Sequence, residues 1–437
     1  MPNCTSKQIE FEPFKRRRVE VSFDGGDVSS DGGLLLLRKL DRRLGLLEAV
    51  AQKLADPRDP ERIDHTLTDM LLQRVFGLVQ GYEDLNDHAS LRHDPLMQTA
   101  CERDTALASA PTLCRLENRA SRAAAWAIHA VMLEKFIASF KTAPEELVLD
   151  FDATDDPLYG KQEGRFFHGY YDSYCYLPLY VFCGEQLLVS YLRPSKIDGS
   201  KHAGAVLKLL VKRLRQAWPN VRIILRGDSG FCRRRVLAWC ERSGVHYIVG
   251  LAKNKRLNRM TEAQRARLAR RFAATGLKQR EFAELRYGAK TWKCERRVIA
   301  RLEHMDKGDN PRYIVTNLQG DARSLYEELY CARGEMENRI KEAQLGLFAD
   351  RTSCQYFAAN QFRLLLSSLA YILTERLRAL ALAGTEFARL QATTIRAKLL
   401  KIGAVIVRNT RRVRVMLSSA FPYQAIYIAA AHALDST

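Results

Sequence analysis

The chain has 437 residues, of which 47% are hydrophobic and 27% are charged, a composition typical of folded rather than disordered proteins. Its length predicts two or three domains, and no uninterrupted apolar run is long enough to predict a membrane span. The first residues lack the basic start and apolar stretch of an export signal, so we expect a cytoplasmic protein.

The charge is strongly basic and unevenly distributed. Lys and Arg number 69 against 50 Asp and Glu, which gives a formal net charge of +19. Basic residues are concentrated in 251–300 and again from residue 391 to the end. Solvated helix faces can hold such charge, but its concentration in two segments favours a polyanionic partner, and we expect nucleic acid. The ten cysteines include no C-x-x-C pair, which favours reduced thiols over zinc ribbons or redox sites.

Residues 1–143 are predicted to form a mostly helical domain. Apolar residues recur three and four apart through 34–50, 65–77 and 123–136, and Asp64 is placed to cap the second of these helices. Because small helical domains often bind DNA, we interpret this region as a DNA-binding domain. No helix-turn-helix pattern in it places a recognition helix.

Residues 144–382 change to alternating strands and helices. Strands are predicted at 147–152, 175–183, 186–192, 221–225 and 245–251, with helices at 203–218 and 233–242. This order predicts a mixed α/β sheet covered by helices on both faces. It resembles the ribonuclease H-like fold, in which the first three strands form a meander.

Between about 253 and 320 the alternation stops, and we interpret this stretch as an inserted, mainly β subdomain. A basic helix is predicted at 262–272, followed by strands around 281–287, 291–299 and 313–315. Helices return at 326–341 and 361–382. Residues 383–437 are predicted to be a basic, helical C-terminal region for DNA contact or dimerisation, and the Arg408–Arg414 cluster either follows DNA or solvates a helix end.

Three acidic residues have local settings that suit metal chemistry. Asp152 and Asp228 each end an apolar strand, and Glu337 shares a helical face with Tyr330 and Arg333. Carboxylates so placed can hold two divalent ions about 3.5–4 Å apart for phosphodiester cleavage, and hard oxygen ligands suit Mg²⁺ or Mn²⁺. Each residue also has an ordinary interpretation, which is a turn cap for either aspartate and an Arg–Glu surface pair for the glutamate.

Several other residues are open to more than one interpretation. Asp150 shares a strand face with Asp152, and because a buried unpaired carboxylate is costly, Asp150 is either the ligand itself or a support for Asp152. Trp292, between two lysines, either stacks on a base or packs in the core. His168 and His202 are interpreted as polar surface or core residues, outside the site.

The three acids and their surroundings resemble the DDE transposases of bacterial insertion sequences. The matching motifs are D-x-T at Asp152, R-G-D-S-G-F at Asp228 and Y-x2-R-x3-E at Glu337, in the family's order. The family's longer signature ends on a lysine, where this chain has Gln344. Lys341 on the same predicted helix is the candidate substitute.

The resemblance implies a ribonuclease H-like catalytic core and a two-metal mechanism. Asp152, Asp228 and Glu337 would hold two Mg²⁺ or Mn²⁺ ions. Water would then nick the end of the element, and the freed 3′-OH would attack target DNA. The implied partners are double-stranded transposon ends and target DNA, with the protein acting as a homodimer in a synaptic complex beside the bacterial nucleoid.

The same resemblance, together with the charge distribution, predicts the DNA contacts. Tyr330 and Arg333 would bind phosphates near the scissile bond. In hairpin-forming members of the family an aromatic residue of the insertion stacks on a flipped base, which is the role that Trp292 would have. The basic candidates for backbone contact are Lys341, Lys253, Lys255 and Arg256.

Two other functions stay open. A related nuclease or resolvase would cleave DNA without joining it. A catalytically silent regulator derived from a transposase would only bind DNA, although retention of all three acids argues against that alternative.

Overall fold

The computed structural model describes residues 9–435, so that the two ends of the chain, Cys4 among them, lie outside the described residues. Contacts divide the described chain into two compact units. One comprises 9–119, 346–348 and 369–435, and the other comprises 120–345 and 349–368. No helix within residues 9–435 is long and apolar enough to cross a membrane. The functional roles assigned to 1–143, 144–382 and 383–437 stay predictions.

The first unit begins with short strands and continues as helices. Its elements up to residue 119 are β1 (Ile9–Phe14), β2 (Arg17–Val21), β3 (Val28–Ser29), α1 (Leu34–Leu44), α2 (Leu46–Lys53), α3 (Leu67–Gln80), α4 (His88–Leu91), α5 (Pro95–Ala100) and α6 (Ala110–Asn118). The helical stretch predicted over 34–50 forms as two helices, because Gly45 adopts a left-handed φ of 56° and ends α1.

The start of α3 also differs from the prediction. Thr66, not Asp64, is its N-cap, and the Thr66 hydroxyl accepts a hydrogen bond from the Asp69 amide at 3.1 Å. The Asp69 carboxylate accepts the Thr66 amide in return at 3.0 Å, which completes a capping box. The prediction failed because Asp64 precedes this reciprocal pair by two residues.

The second unit contains the alternating strands and helices. Its elements up to residue 251 are α7 (Arg122–Ala138), β4 (Glu146–Ala153), β5 (Asp156–Pro157), β6 (Phe166–His168), β7 (Ser173–Tyr176), β8 (Leu179–Cys183), β9 (Gln186–Tyr191), α8 (Ala203–Ala217), β10 (Arg222–Gly227), α9 (Arg234–Arg242) and β11 (His246–Leu251). The single strand predicted over 175–183 is two strands, because Pro178 between them has no amide hydrogen for a ladder.

The inserted segment adds helices and then strands that continue the main sheet. Its elements are α10 (Lys255–Met260), α11 (Glu262–Thr275), β12 (Gln279–Tyr287), β13 (Arg296–Met305), β14 (Gly308–Asp309) and β15 (Arg312–Thr316). β15 pairs antiparallel with β11, with Val315 opposite Val249. The strand predicted over 291–299 begins later, since the Trp292 amide donates to the Ala289 carbonyl in a turn.

These strands form one mixed sheet in the order β12-β13-β15-β11-β10-β4-β8-β9. β4, β8 and β9 are the predicted antiparallel meander, and β10 runs parallel to both β4 and β11. Leu225 of β10 belongs to a core that includes Leu207 of α8 and Leu237 of α9, whereas its neighbour Ile224 packs in a second core with Tyr326. Helices therefore cover both faces, as predicted for a mixed sheet.

The helix predicted over 326–341 forms with a changing winding. The segment consists of α12 (Ala322–Ser324), a π-helical turn (Leu325–Tyr330), a 3-10 turn (Cys331–Arg333), α13 (Gly334–Lys341) and a second π-helical turn (Glu342–Gly346). Such π-helical turns often occur at functional sites. This segment packs on the sheet face that carries Ile224, the face to which even-numbered side chains of β4 and β10 point.

The remaining elements are α14 (Phe357–Ala381), α15 (Ala392–Ile395), β16 (Ala404–Asn409), β17 (Arg412–Leu417) and α16 (Gln424–Ala433). Arg408 and Arg414 lie on the hairpin of β16 and β17, where Val407 is opposite Arg414. Of the two interpretations of this basic cluster, the helix end is therefore wrong, and contact with DNA stays a prediction. Alternating Val and Arg residues suit a strand with two different faces.

Candidate active site

β4 carries two aspartates on one face, and they have different surroundings. Asp150 is fully buried, and both of its carboxylate oxygens accept hydrogen bonds from the guanidinium of Arg226 on β10, one of them at 2.7 Å. Asp152 lies close to the end of the strand and keeps 17% of its side chain exposed. Because the oxygens of Asp150 are already taken, Asp152 is the residue that this strand offers to a ligand.

Asp228 lies beside Asp152 because of strand register. Gly227 of β10 is the partner of Phe151 on the parallel strand β4, so that the two aspartates follow at the same edge of the sheet. The Asp228 carboxylate also accepts the Gly230 amide at 2.8 Å and caps the 3-10 turn (Ser229–Phe231). The turn-cap interpretation is therefore satisfied, and it fixes the Asp228 side chain at the strand end.

Glu337 is linked to the strand end through Arg333. Arg333 Nη2 lies 3.0 Å from Glu337 Oε1, and Nη1 lies 3.7 Å from Asp152 Oδ2. The Glu337 side chain is about half exposed, so the Arg–Glu surface pair does exist. Its arginine, however, also reaches the carboxylate of β4, and this joins the helical segment to the sheet edge.

The pKa values show that the three acids share one electrostatic environment. The pKa of Asp152 is raised to about 6, chiefly by burial and also by the charges of Asp228 and Glu337, whereas the Ala153 amide and Arg333 lower it. Burial lowers the pKa of Arg333, but all three carboxylates raise it, so that the net shift is upward. One guanidinium therefore faces three carboxylates, and the cluster has an excess of negative charge.

Such a cluster fits a divalent cation in its chemistry. Within residues 9–435, no three His, Cys, Asp or Glu side chains are arranged to hold a metal ion as they stand. In this structure the positive charge between Asp152 and Glu337 is Arg333. Three oxygen donors with excess negative charge are nevertheless the set that Mg²⁺ or Mn²⁺ prefers.

A cavity of about 180 Å³ opens beside the two aspartates. Asp152 and Asp228 line it together with His168, Tyr170 and Tyr171 from the hairpin of β6 and β7. His168 was interpreted from the sequence as an ordinary polar residue, and no motif in the sequence marks the two tyrosines. The other lining residues are Ala153, Leu177, Gly199, Gly230 and Phe231.

The sequence profile of the family Transposase DDE domain group 1 matches residues 11–437. The chain belongs to this transposase family. No curated protein matches the chain. Among solved structures, a piggyBac transposase synaptic complex with hairpin DNA aligns with a TM-score of 0.40 and 11% identity, over 84% of this chain and 79% of that chain. That likeness is too distant to carry an argument about mechanism.

Two residues that lie against the candidate site of this transposase were missed by sequence reasoning. Arg226, which holds Asp150, also donates through Nη1 to the Leu329 carbonyl at 2.6 Å, immediately before Tyr330. A Cβ on Gly250 would lie 2.8 Å from the Tyr330 hydroxyl oxygen and 2.7 Å from the Ser229 amide. Arg226 was visible in the R-G-D-S-G-F motif, but its partners are distant in sequence.

The residues of the transposase that are predicted to contact phosphate differ in how exposed they are. Tyr330 lies 5.4 Å from Tyr326 between ring centroids, and burial raises the pKa of Tyr330. Lys341 is exposed at the end of α13. Gln344, in the place of the signature lysine, donates to the Asp155 carbonyl at 3.0 Å and so anchors the segment to the chain after β4.

The residues of the insertion that are candidates for DNA contact differ in their exposure and in the contacts that they make. Lys253 and Lys255 are exposed near the start of α10, but Arg256 donates to the Gly288 carbonyl at 2.6 Å. Trp292 is half-buried, 5.7 Å from Tyr287 in an edge-on contact, with the Arg296 guanidinium 4.8 Å from its ring centre. These contacts favour packing over base stacking for Trp292, which is not among the residues that line the cavity.

Proposed function

We propose that this DDE transposase binds the terminal inverted repeats of a bacterial insertion sequence, cleaves them by two-metal hydrolysis and joins the 3′-OH ends to target DNA. The observation that carries the proposal is that Arg333 contacts both Asp152 and Glu337, while Asp228 follows the neighbouring strand at the same edge of the sheet. The strand order, a meander followed by two parallel strands, supports a ribonuclease H-like core beneath it. The inserted strands would be an extension of that core.

The three carboxylates would hold two Mg²⁺ or Mn²⁺ ions. Ions bound there would supply a nucleophile at neutral pH and stabilise the leaving oxygen. Asp152 must be ionised for this, and a nearby positive charge favours the ionised form. In the absence of DNA, Arg333 supplies that charge through its contacts with Asp152 and Glu337.

Arriving DNA would compete for Arg333. A phosphate accepts two parallel hydrogen bonds from a guanidinium, so the scissile strand would draw Arg333 away from the carboxylates and leave them to the metal ions. The Tyr330 hydroxyl, three residues earlier, would donate to a neighbouring phosphate oxygen. The arrangement would thus couple DNA binding to completion of the metal site.

The remaining DNA contacts would come from basic residues outside the cluster. Lys341, Lys253 and Lys255 would follow the backbone, with Arg256 contributing after it releases Gly288. Each phosphate so neutralised steepens the salt dependence of log affinity by about 0.9. The helices of residues 1–143 would bind the inverted repeat, and the basic C-terminal region would contact DNA or a second subunit in a homodimeric synapse in the bacterial cytoplasm.

The test uses DNA that flanks the gene as candidate ends, with Mg²⁺ and a target plasmid. We expect cleavage and joining by the wild type and neither by Glu337→Gln. Glu335→Gln is the matched control, because Glu335 lies on the same helix and pairs with Arg339 at 3.0 Å. That variant should keep cleavage and joining within about twofold of the wild type, because an exposed ion pair contributes little to stability.

The other outcomes decide between the alternative functions. Cleavage without joining would favour the nuclease or resolvase, and binding without cleavage would favour the silent regulator. Cleavage that survives Glu337→Gln would remove Glu337 from the catalytic site.

A further inference from the structure

The hairpin of β6 and β7 presents aromatic rings at its tip. Tyr170 is 84% exposed, and its ring lies edge-on to Tyr171 at 4.9 Å between centroids. The Tyr171 ring lies 5.0 Å from His168, and the Tyr171 amide donates to the His168 carbonyl at 3.1 Å. The tip is therefore held by its own contacts, although Tyr170 lies largely in solvent.

The same hairpin carries further aromatic rings beside cations. Phe167 and Tyr174 are opposite each other in the ladder and about half exposed. The Arg165 guanidinium lies 4.4 Å from the centre of the Tyr174 ring, and the Lys196 ammonium lies 4.5 Å from that of Phe166. Aromatic faces interleaved with positive charge suit the bases and phosphates of a single strand.

The position of the tip limits what it can bind. Tyr170 and Tyr171 line the same cavity as Asp152 and Asp228, so that a ligand there lies next to the carboxylates. The cavity measures about 180 Å³, whereas sites for whole drug-sized ligands measure roughly 300–1,000 Å³. It has room for part of one nucleotide, and a base can enter it only when unpaired and unstacked.

We propose that the tip formed by His168, Tyr170 and Tyr171 is a stacking site for an unpaired nucleobase of the strand that is cut at Asp152 and Asp228. The inference rests on the proposed function, because that function places the neighbouring phosphate at the carboxylates. It assigns base stacking to this hairpin rather than to Trp292, whose ring already packs with Tyr287 and Arg296.

The test compares two DNA probes on the full-length protein in Ca²⁺ buffer, by fluorescence anisotropy. One probe is a blunt duplex, and the other, the forked probe, is the same duplex extended at one end by unpaired thymidines on both strands. We expect the wild type to prefer the forked probe roughly 5- to 150-fold, the equivalent of about 1–3 kcal/mol for one stacked base. Tyr170→Ala should abolish the preference, and Tyr170→Phe, which keeps the ring, should retain it.

Tyr159→Ala is the matched control, since Tyr159 is 94% exposed and is not among the residues that line the cavity. This variant should keep the forked preference. The ratio of the two affinities is the readout, because it cancels general effects on charge and folding. Equal affinities in the wild type, or a preference that survives Tyr170→Ala, would overturn the proposal.

A crosslink locates the base directly. With 5-iododeoxyuridine in the unpaired positions, irradiation should attach DNA to residues 168–171, and attachment to Trp292 instead would contradict the assignment. Both measurements are made without cleavage, so failure of the carboxylate variants to alter cleavage would leave them unaffected. Conversely, if the wild type shows no preference for the forked probe but its cleavage still depends on Glu337, this inference alone is contradicted.

Discussion

Two aspartates on strand β4 show how an Asp–Arg pair can serve either structure or chemistry. Asp150 and Asp152 lie on the same face of β4, and each has an arginine partner. Arg226 closes around Asp150 in the buried interior, whereas Arg333 reaches Asp152 at the rim and is shared with Glu337. Position along the strand, rather than residue type, separates the two.

The charge balance differs as well. The Asp150 pair is one acid and one base, and the third contact of Arg226 is a carbonyl oxygen at Leu329. At the rim, three acids face one base, and the pKa of Asp152 rises to about 6. The buried pair of Asp150 and Arg226 has balanced charge and orders the fold. The open cluster of Asp152, Asp228, Glu337 and Arg333 has an excess of negative charge that a metal ion can neutralise.

The largest expected effect is the loss of DNA cleavage when Asp152 is replaced. Asp152→Asn should lower cleavage roughly 1,000-fold or more, as loss of a group essential to catalysis does. A strand-cleavage assay with end-labelled DNA measures this, with folding checked by circular dichroism. Near-normal cleavage by Asp152→Asn would contradict the assignment of the open cluster to catalysis.

The next effect concerns the buried pair. Arg226→Met should destabilise the protein by about 3–5 kcal/mol, because it leaves Asp150 buried without a partner. Urea unfolding measures this. Arg213→Met is the control, since Arg213 pairs with Glu134 on the surface, and it should cost less than about 1 kcal/mol. Equal losses of stability for Arg226→Met and Arg213→Met would show that burial does not distinguish the two ion pairs.

A double variant tests whether Arg226 also positions the helical segment. Asp150→Leu with Arg226→Met should recover most of the stability, since apolar replacement of a buried pair is often neutral. Cleavage should stay low, because the Leu329 carbonyl loses its donor immediately before Tyr330. Full recovery of both stability and cleavage would limit Arg226 to a packing role.

The pKa of Asp152 predicts a stability effect that opposes the loss of activity. A folded-state pKa of about 6 lies above the ordinary aspartate pKa of 3.8, so the contribution of Asp152 to stability is favourable below pH 3.8 and is lost as pH rises through 6. Asp152→Asn should therefore stabilise the metal-free protein above pH 7 by at most about 3 kcal/mol. Unfolding in EDTA between pH 4 and 8 measures the difference, and a difference independent of pH would contradict the shift.

The smallest expected effect concerns the room beside the open cluster. Gly250→Ala would press a methyl group against the Tyr330 hydroxyl and the Ser229 amide, at a cost of about 1–3 kcal/mol in stability. Gly403→Ala is the control, since a Cβ there meets no atom within 4 Å. Thermal unfolding compares the two, and indistinguishable melting temperatures would mean that the Tyr330 segment shifts freely.

Much of the sheet was predictable because it depends on local pattern. The alternation over 147–152 placed Asp150 and Asp152 on one face, and the apolar runs located β10 and β11. The split at Pro178 could have been read from its missing amide hydrogen. What the pattern could not show was that β15 would pair with β11 and continue the sheet, since strand pairing over such distances depends on tertiary packing.

The residues of the candidate site could be proposed from the sequence, but their contacts could not. Motifs pointed to Asp152, Asp228 and Glu337, yet the choice between Asp150 and Asp152 needed the Arg226 contact, which spans 76 residues. The hairpin that lines the cavity has no motif, because exposed aromatic rings carry no periodic signal. Only the folded chain shows that its tip lies beside the acids.

The most direct test of the central difference is Mn²⁺ binding to the DNA-bound protein, followed by electron paramagnetic resonance. The wild type and Arg213→Met should bind Mn²⁺ equally, and Asp152→Asn should weaken binding by roughly 10- to 100-fold or more. Asp152→Asn with wild-type affinity for Mn²⁺ would contradict the claim that the open cluster is the metal site.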